Sequence, residues 1–329
     1  MKKKQRIGIL CGTFDPVRLG QIREALRLLS RGKYDRLLLM PSGHPCMAPA
    51  EDRWRMLVSA CAYDDRLIPS RFCIDNAADA DDAALLPALQ ALYPDAKLTL
   101  LPSLPSFFSA GAVQEDLDIP VLEYCRCKGL YGFPGKLDHI GEWMDRLFPA
   151  LKPKRFAHSL SVAFASKQLA VVHGISGLQA EQAGLLHDCA KCLPLPEMQR
   201  IALEHALTED QTVLSSGALL HSLAGAWIAE HIYGMKDPAV LEAIRYHNTG
   251  SPGMSRLAMC VCLADSIEPL RESYPQLDHI RAVSLVNLEE ALLLSLQATA
   301  DYVISRGKYL HPSTRDTIVW LRSLVRNRQ

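Results

Sequence analysis

The chain has 329 residues, with 36 basic and 36 acidic side chains, 49% hydrophobic residues and only 7% aromatic ones; this excludes a disordered chain and leaves room for two cores at roughly 100 to 200 residues per domain. A net charge of zero gives no long-range field to attract a polynucleotide backbone, so nucleic acid is not an expected partner and any phosphate chemistry must be local. The longest apolar runs, around Leu37 to Met40 and Ala291 to Leu296, fall far short of the ~20 residues that span a bilayer, so no membrane partner and a cytoplasmic location are expected.

The first half alternates strand and helix signals. Strands are expected at Arg6 to Cys11, Asp35 to Met40, Ser70 to Ile74 and Lys97 to Leu101, with helices at Leu19 to Ser30, Glu51 to Ala62 and Asp82 to Tyr93. Such alternation implies a parallel sheet covered by helices. From about Lys136 the strand signals stop, and amphipathic helices follow one another, punctuated by Gly174, Pro194, Pro238, Pro275 and Pro312. The break at Gly132-Phe133-Pro134-Gly135 interrupts both patterns, which gives an α/β domain over residues 1–133 and an all-α domain over residues 134–329. Ten cysteines lie scattered in apolar stretches and read as small buried hydrophobes in a reducing compartment. Cys189-Ala-Lys-Cys192 has no second pair at a zinc-finger distance.

In the helical half His158, the adjacent His187-Asp188, His221, His247 and Asp265 stand out. Imidazole and carboxylate are the ligands preferred by borderline divalent metals, and placement in or at the ends of helices lets them converge on a bundle core. Taken singly, each histidine also reads as a hydrogen-bonded core residue and Asp265 as a cap. The order His, His-Asp, His, His, Asp on successive helices is more specific than its parts.

That order, with Lys154-Arg155-Phe156-Ala157-His158, Leu185-Leu186-His187-Asp188-Cys189-Ala190-Lys191, His221-Ser222, Tyr246-His247-Asn248-Thr249-Gly250 and Ala264-Asp265-Ser266-Ile267-Glu268-Pro269, resembles the symmetrical bis(5'-nucleosyl)-tetraphosphatases of the HD superfamily. The resemblance implies an HD-domain helical bundle in which His158, His187, Asp188 and Asp265 hold one iron. Other divalent transition metals are compatible with the same ligands. It implies that His221 and His247 hold a second ion or contact the nucleotide, that Asp188 is catalytic, and that His221, His247 and Thr249 bind substrate. Lys191, three residues after Asp188, and Arg155, three before His158, lie one helical turn from ligands; they are expected to bind the substrate phosphates, Lys191 as a catalytic residue too, and each also reads as a surface cation. The implied reaction is attack of a metal-activated water on a bridging phosphate of a dinucleoside polyphosphate, with two ADP formed from diadenosine tetraphosphate.

At the other end, Cys11-Gly12-Thr13-Phe14-Asp15-Pro16-Val17-Arg18-Leu19-Gly20-Gln21, Met40-Pro41-Ser42-Gly43-His44-Pro45 and Gly129-Leu130-Tyr131-Gly132 resemble the nicotinate-nucleotide adenylyltransferases, which implies a Rossmann-like nucleotidyltransferase fold. Arg18 and Gln21 stand where that family has two phosphate-stabilising histidines, and the later Ser-Ser-Thr-x-x-Arg phosphate motif has no counterpart between Ser109 and Pro120. The expectation is a degenerate domain without transferase activity. Alternative readings are an HD nucleotidase acting on mononucleotides, and a nucleotide sensor that uses the first domain as a binding module. Oligomeric state is left open, a homo-oligomer included.

Overall fold

The computed structural model describes residues 4–79, 81–102, 116–135 and 139–327. The chain divides into two compact units, Met1–Glu142 and Trp143–Gln329. The Ser109 to Pro120 stretch lies largely within 103–115, outside the described residues.

The first unit runs β1 (Gln5–Gly12), α1 (Leu19–Ser30), β2 (Arg36–Pro41), α2 (Ala50–Cys61), β3 (Leu67–Pro69), α3 (Phe72–Asp75), α4 (Leu85–Leu92), β4 (Ala96–Leu100) and α5 (Ile119–Lys128). The four strands form one parallel sheet in the order β3-β2-β1-β4. Leu37 to Met40 are buried without alternation, as expected for a central strand covered on both faces. The strand expected at Ser70 to Ile74 is not there. β3 ends at Pro69, the Ser70 hydroxyl accepts the Phe72 N–H (3.3 Å), and residues 72–75 form a helical turn that buries Cys73 in the core beneath the sheet. The apolar residues Phe72, Cys73 and Ile74 serve a turn of helix, and the strand lies earlier, at Leu67–Pro69.

The second unit is helical throughout its described length. After α6 (Ile140–Ala150), which spans the division between the units, come α7 (Pro153–Val172), α8 (Gly177–Leu186), α9 (Leu195–Glu204), α10 (Gln211–Leu214), α11 (Gly217–His231), α12 (Pro238–Tyr246), α13 (Arg256–Ile267), α14 (Leu277–Ser284), α15 (Leu288–Ser305) and α16 (Pro312–Arg326). The caps are written in the sequence. Ser176, Asp237, Ser255 and Asn287 each accept a first-turn N–H from their own helix, and Pro occupies the first turn of α7, α9, α12 and α16. Helix α13 is buried continuously from Leu257 to Ala264 and packs on α7, α8, α12 and α15. Helices α7 and α8 approach closely at Gly184, where a Cβ would stand 2.9 Å from the Ala163 Cα and the Val162 carbonyl oxygen. No helix of the described residues is long and apolar enough to cross a membrane.

Asp237 illustrates how local chemistry holds this bundle. Its carboxylate accepts the Ala239 N–H (2.9 Å) and a Gln179 side-chain N–H from α8 (2.7 Å), and the Gln179 bond, joined by backbone N–H groups at the start of α12, keeps its pKa below the ordinary value. Asp237→Ala is expected to lower stability by about 1 kcal/mol, as for other N-cap deletions. A depressed folded-state pKa gives stability that is present above the unfolded value and lost as pH falls through the folded one. Thermal melts of both proteins should therefore show the wild-type advantage intact at mildly acidic pH and shrinking only as the pH falls below the ordinary carboxyl value of 3.8.

Candidate metal centre

Five segments of the helical unit bring their polar side chains to one place. His158 projects from α7, His187 and Asp188 follow the last turn of α8, His221 comes from α11, His247 ends α12 and Asp265 comes from α13. All but Asp265 are buried, and Asp265 is partly exposed. Nitrogen and oxygen atoms of His158, His187 and Asp265 lie within 4.8 Å of one another, as do those of His187, Asp188 and His247. The two sets share His187.

Backbone carbonyls orient the rings. His187 Nδ1 is 2.7 Å from the Gly184 carbonyl and His247 Nδ1 is 2.7 Å from the Ile244 carbonyl, each one turn back on its own helix. Such a bond assigns the proton to Nδ1 and turns the bare Nε2 inward. His187 Nε2 then faces Asp188 Oδ2 at 3.3 Å and Asp265 Oδ1 at 3.8 Å, acceptor against acceptor. His187 Nε2 and Asp188 Oδ1 are buried without a hydrogen-bond partner among the described residues. Lone pairs that converge in the interior without an intervening donor are what a bound cation matches, so these residues fit a divalent metal ion.

The charges around the cluster agree with that fit. Burial alone would raise the Asp188 carboxyl, but His187, His221 and Lys191 hold it well below the usual carboxylate range. Asp265 is likewise held low against its burial by His158 at 2.9 Å. His158 is lowered by burial and raised more by Asp265 and Glu268, which brings it to about 9. Burial is the main cause that drives His247 down to about 3, and it lowers His221 as well. His221 Nε2 lies 3.1 Å from His247 Nε2 and 3.2 Å from Asp188 Oδ1. The partly exposed side carries two cations. Arg155 donates to Asp188 Oδ2 at 2.6 Å, and Lys191 Nζ lies 3.0 Å from His221 Nε2 and 3.7 Å from Asp188 Oδ1.

Two placements differ from the sequence expectations. Thr249 is not with the cluster: its hydroxyl donates to the Gly250 carbonyl (3.1 Å), and the residue lines a separate cavity beside Arg245 and Tyr246. Glu268 belongs to the arrangement although no role was expected for it. This buried carboxylate receives His158 Nδ1 at 3.2 Å, the Ser161 hydroxyl at 2.5 Å and the Leu270 N–H at 2.6 Å. Its position one helical turn after Asp265, next to Pro269, was the available signal. Cys189, beside Asp188, turns away to donate to the Gly225 carbonyl at 3.4 Å.

In the first unit, the turn after β1 encloses a cavity of about 190 Å³ lined by Thr13, Asp15, Arg18, Gln21 and Cys46 among others. Its polar groups are largely engaged with one another. The Gln21 side chain accepts the Arg18 N–H (3.0 Å) and so caps α1, and Arg18 pairs with Asp116 at 3.6 Å. Asp15 accepts the Ala48 N–H at 3.1 Å and the Tyr131 hydroxyl. Arg53, fully buried, donates to the carbonyls of Thr13, Ser42, His44 and Ala48 at 3.0 to 3.3 Å.

A family model described as the HD domain matches residues 155–270. The symmetrical bis(5'-nucleosyl)-tetraphosphatase of Halalkalibacterium halodurans is 32% identical over 177 residues, which cover 54% of this chain and 94% of that protein. A crystal structure from Clostridium acetobutylicum, described as a predicted HD superfamily hydrolase involved in NAD metabolism, is 36% identical, with a TM-score of 0.54 over 55% of this chain and 96% of its own. The N-terminal part is similar to a probable nicotinate-nucleotide adenylyltransferase of Saccharopolyspora erythraea, 36% identical over 104 residues, 30% of this chain and 49% of that one. Fold and site define an HD-domain phosphohydrolase. Through its C-terminal half the chain belongs to the family of the symmetrical bis(5'-nucleosyl)-tetraphosphatases, with an adenylyltransferase-like part before it.

If Glu268 orients His158, then Glu268→Ala should lower the affinity for a divalent metal by about 10- to 100-fold while the helices stay folded, the usual cost of losing a partner behind a ligand. Metal titration followed by elemental analysis, with circular dichroism for the fold, measures it. Glu268→Gln should recover part of the affinity, because its amide oxygen can still accept from His158.

Proposed function

We propose that the helical half hydrolyses dinucleoside polyphosphates symmetrically, converting diadenosine tetraphosphate to two ADP. The observation that carries this reading is the pair of buried, unpartnered acceptors, His187 Nε2 and Asp188 Oδ1, set beneath two cations on the partly exposed side. His158, His187, Asp188 and Asp265 would hold an iron ion, and His221 with His247 a second ion or a phosphate. A divalent ion held there would acidify a coordinated water to a pKa near 7 and screen phosphoryl oxygens. The chain's own groups do the rest. Arg155 and Lys191 neutralise the polyphosphate, and Arg155 fixes Asp188 so that Oδ1 faces the cluster. Lys191, between His221 and Asp188, is placed to follow charge that develops on the phosphate under attack. The relatives with this name support the choice of substrate.

The first unit is proposed to be a Rossmann-like nucleotidyltransferase fold without transferase activity. Strand order β3-β2-β1-β4 supports the fold, since it places β1 at a switch point in strand order. The engagement of Arg18, Gln21, Asp15 and Arg53 with their own neighbours supports the loss of activity, because among the described residues that line the cavity there is no histidine and the one cation, Arg18, is paired. Residues 134–329 are proposed to fold alone, and a cut at residue 134 keeps α6 whole.

Asp188→Ala should lose both bound metal and hydrolysis; full activity with metal retained would sink the assignment. Chromatography of the products of diadenosine tetraphosphate should show ADP alone, and AMP with ATP would move the attack to an outer phosphate. Nicotinate mononucleotide and ATP should give no dinucleotide. Formation of that product, abolished by Asp15→Ala, would show that the first unit is an active transferase.

A further inference from the structure

A second cavity of the helical unit, about 260 Å³, opens between α10, α11, the end of α12 and the start of α16. It lies behind the histidine cluster. At about 100° per residue a position two before or two after a given residue falls on the opposite side of the helix. Leu219 and Leu223 stand in that relation to His221, and Arg245 to His247, and all three line the cavity, with Thr249 of the turn after α12 beside them. The helices that carry the two histidines inward therefore present their rear faces to this space.

The lining has one apolar wall and one polar wall. Val213, Leu219 and Leu223 supply the first. On the other, the solvent-exposed Arg245 and the half-buried Tyr246 make no side-chain hydrogen bond or ion pair among the described residues. His311 Nδ1 accepts the Ser313 N–H at 3.2 Å, which leaves the proton on Nε2, turned to the Asp210 carboxylate at 3.5 Å. Among the described lining residues the one carboxylate is committed. Asp210 Oδ1 caps α10 through Thr212 N–H (2.8 Å), and Oδ2 stands 3.5 Å from His311 Nε2. Arg245 and Tyr246, with the His311 ring beside them and an apolar wall opposite, fit a ligand rich in acceptors, negatively charged and carrying a ring. The volume bounds its size: 260 Å³ corresponds to roughly nine waters at about 30 Å³ each, and lies below the about 300 Å³ at which pockets for larger ligands begin.

We propose that this cavity binds a ring-bearing phosphate monoester of mononucleotide size, at a site separate from the histidine cluster, with Arg245, Tyr246 and His311 taking the phosphate and Leu219 and Leu223 the ring. The proposal does not depend on which phosphate ester the cluster hydrolyses. The probes are AMP, adenosine and inorganic phosphate, measured by equilibrium dialysis against the full chain. AMP should bind with a Kd of about 1 mM or tighter, and more tightly than either adenosine or phosphate. Arg245→Gln should weaken AMP about tenfold, the worth of one charge-assisted hydrogen bond, and Leu223→Trp, which fills the cavity from the other wall, should abolish binding. Lys191→Gln, on the cluster side, should leave the AMP affinity as it was. No binding of AMP, or an affinity that falls with Lys191→Gln and ignores both Arg245→Gln and Leu223→Trp, overturns the proposal.

Discussion

The helical half is organised around lone pairs that have nowhere else to go. His187 and His247 each spend Nδ1 on a carbonyl of their own helix, so Nε2 is forced inward against the carboxylates of Asp188 and Asp265. A buried acceptor left without a donor costs about 1–3 kcal/mol. That cost has to be offset by apolar burial elsewhere in the unit, and α13, buried from Leu257 to Ala264, supplies much of it while also delivering Asp265. Packing and chemistry are thus served by opposite ends of one helix.

Positioning depends on how closely the backbones approach. With the Ala163 Cα and Val162 carbonyl oxygen both 2.9 Å from where a Cβ would sit, Gly184 sets the spacing of α7 and α8, and its own carbonyl receives His187. One residue therefore fixes both the distance between two ligand-bearing helices and the tilt of a ligand ring. On α7 the same result is reached with side chains: Ser161 and Leu270 N–H hold Glu268, and Glu268 holds His158.

Much of this was legible in the sequence, for physical reasons. Caps, first-turn prolines and apolar periods are local, so the helices of the second half could be read, as could the parallel sheet from its continuous apolar strands. The ordered His and Asp positions carried the cluster because those side chains have few other reasons to recur in buried helical stretches. What was not legible depended on direction in space. Thr249 adjoins the cluster in sequence, yet in the turn after α12 it lines the separate cavity. Glu268 carried no expectation of its own, and only the fold places it against His158. Ser70 to Ile74 failed because so short an apolar run serves a turn of helix as readily as a strand. Arg18 and Gln21 could be seen to differ from histidine, but not that they had turned to each other and to Asp116.

Arg53 has a consequence for how the first unit tolerates change. Each hydrogen bond that its guanidinium makes among the described residues goes to a main-chain carbonyl, of Thr13, Ser42, His44 and Ala48, and every residue type supplies the same oxygen. The turn after β1 is consequently insulated from drift in the side chains around it. Residues there can be exchanged one after another, and with them whatever they once recognised, while the loops keep their shape; a single guanidinium lets a binding surface lose its chemistry without losing its architecture.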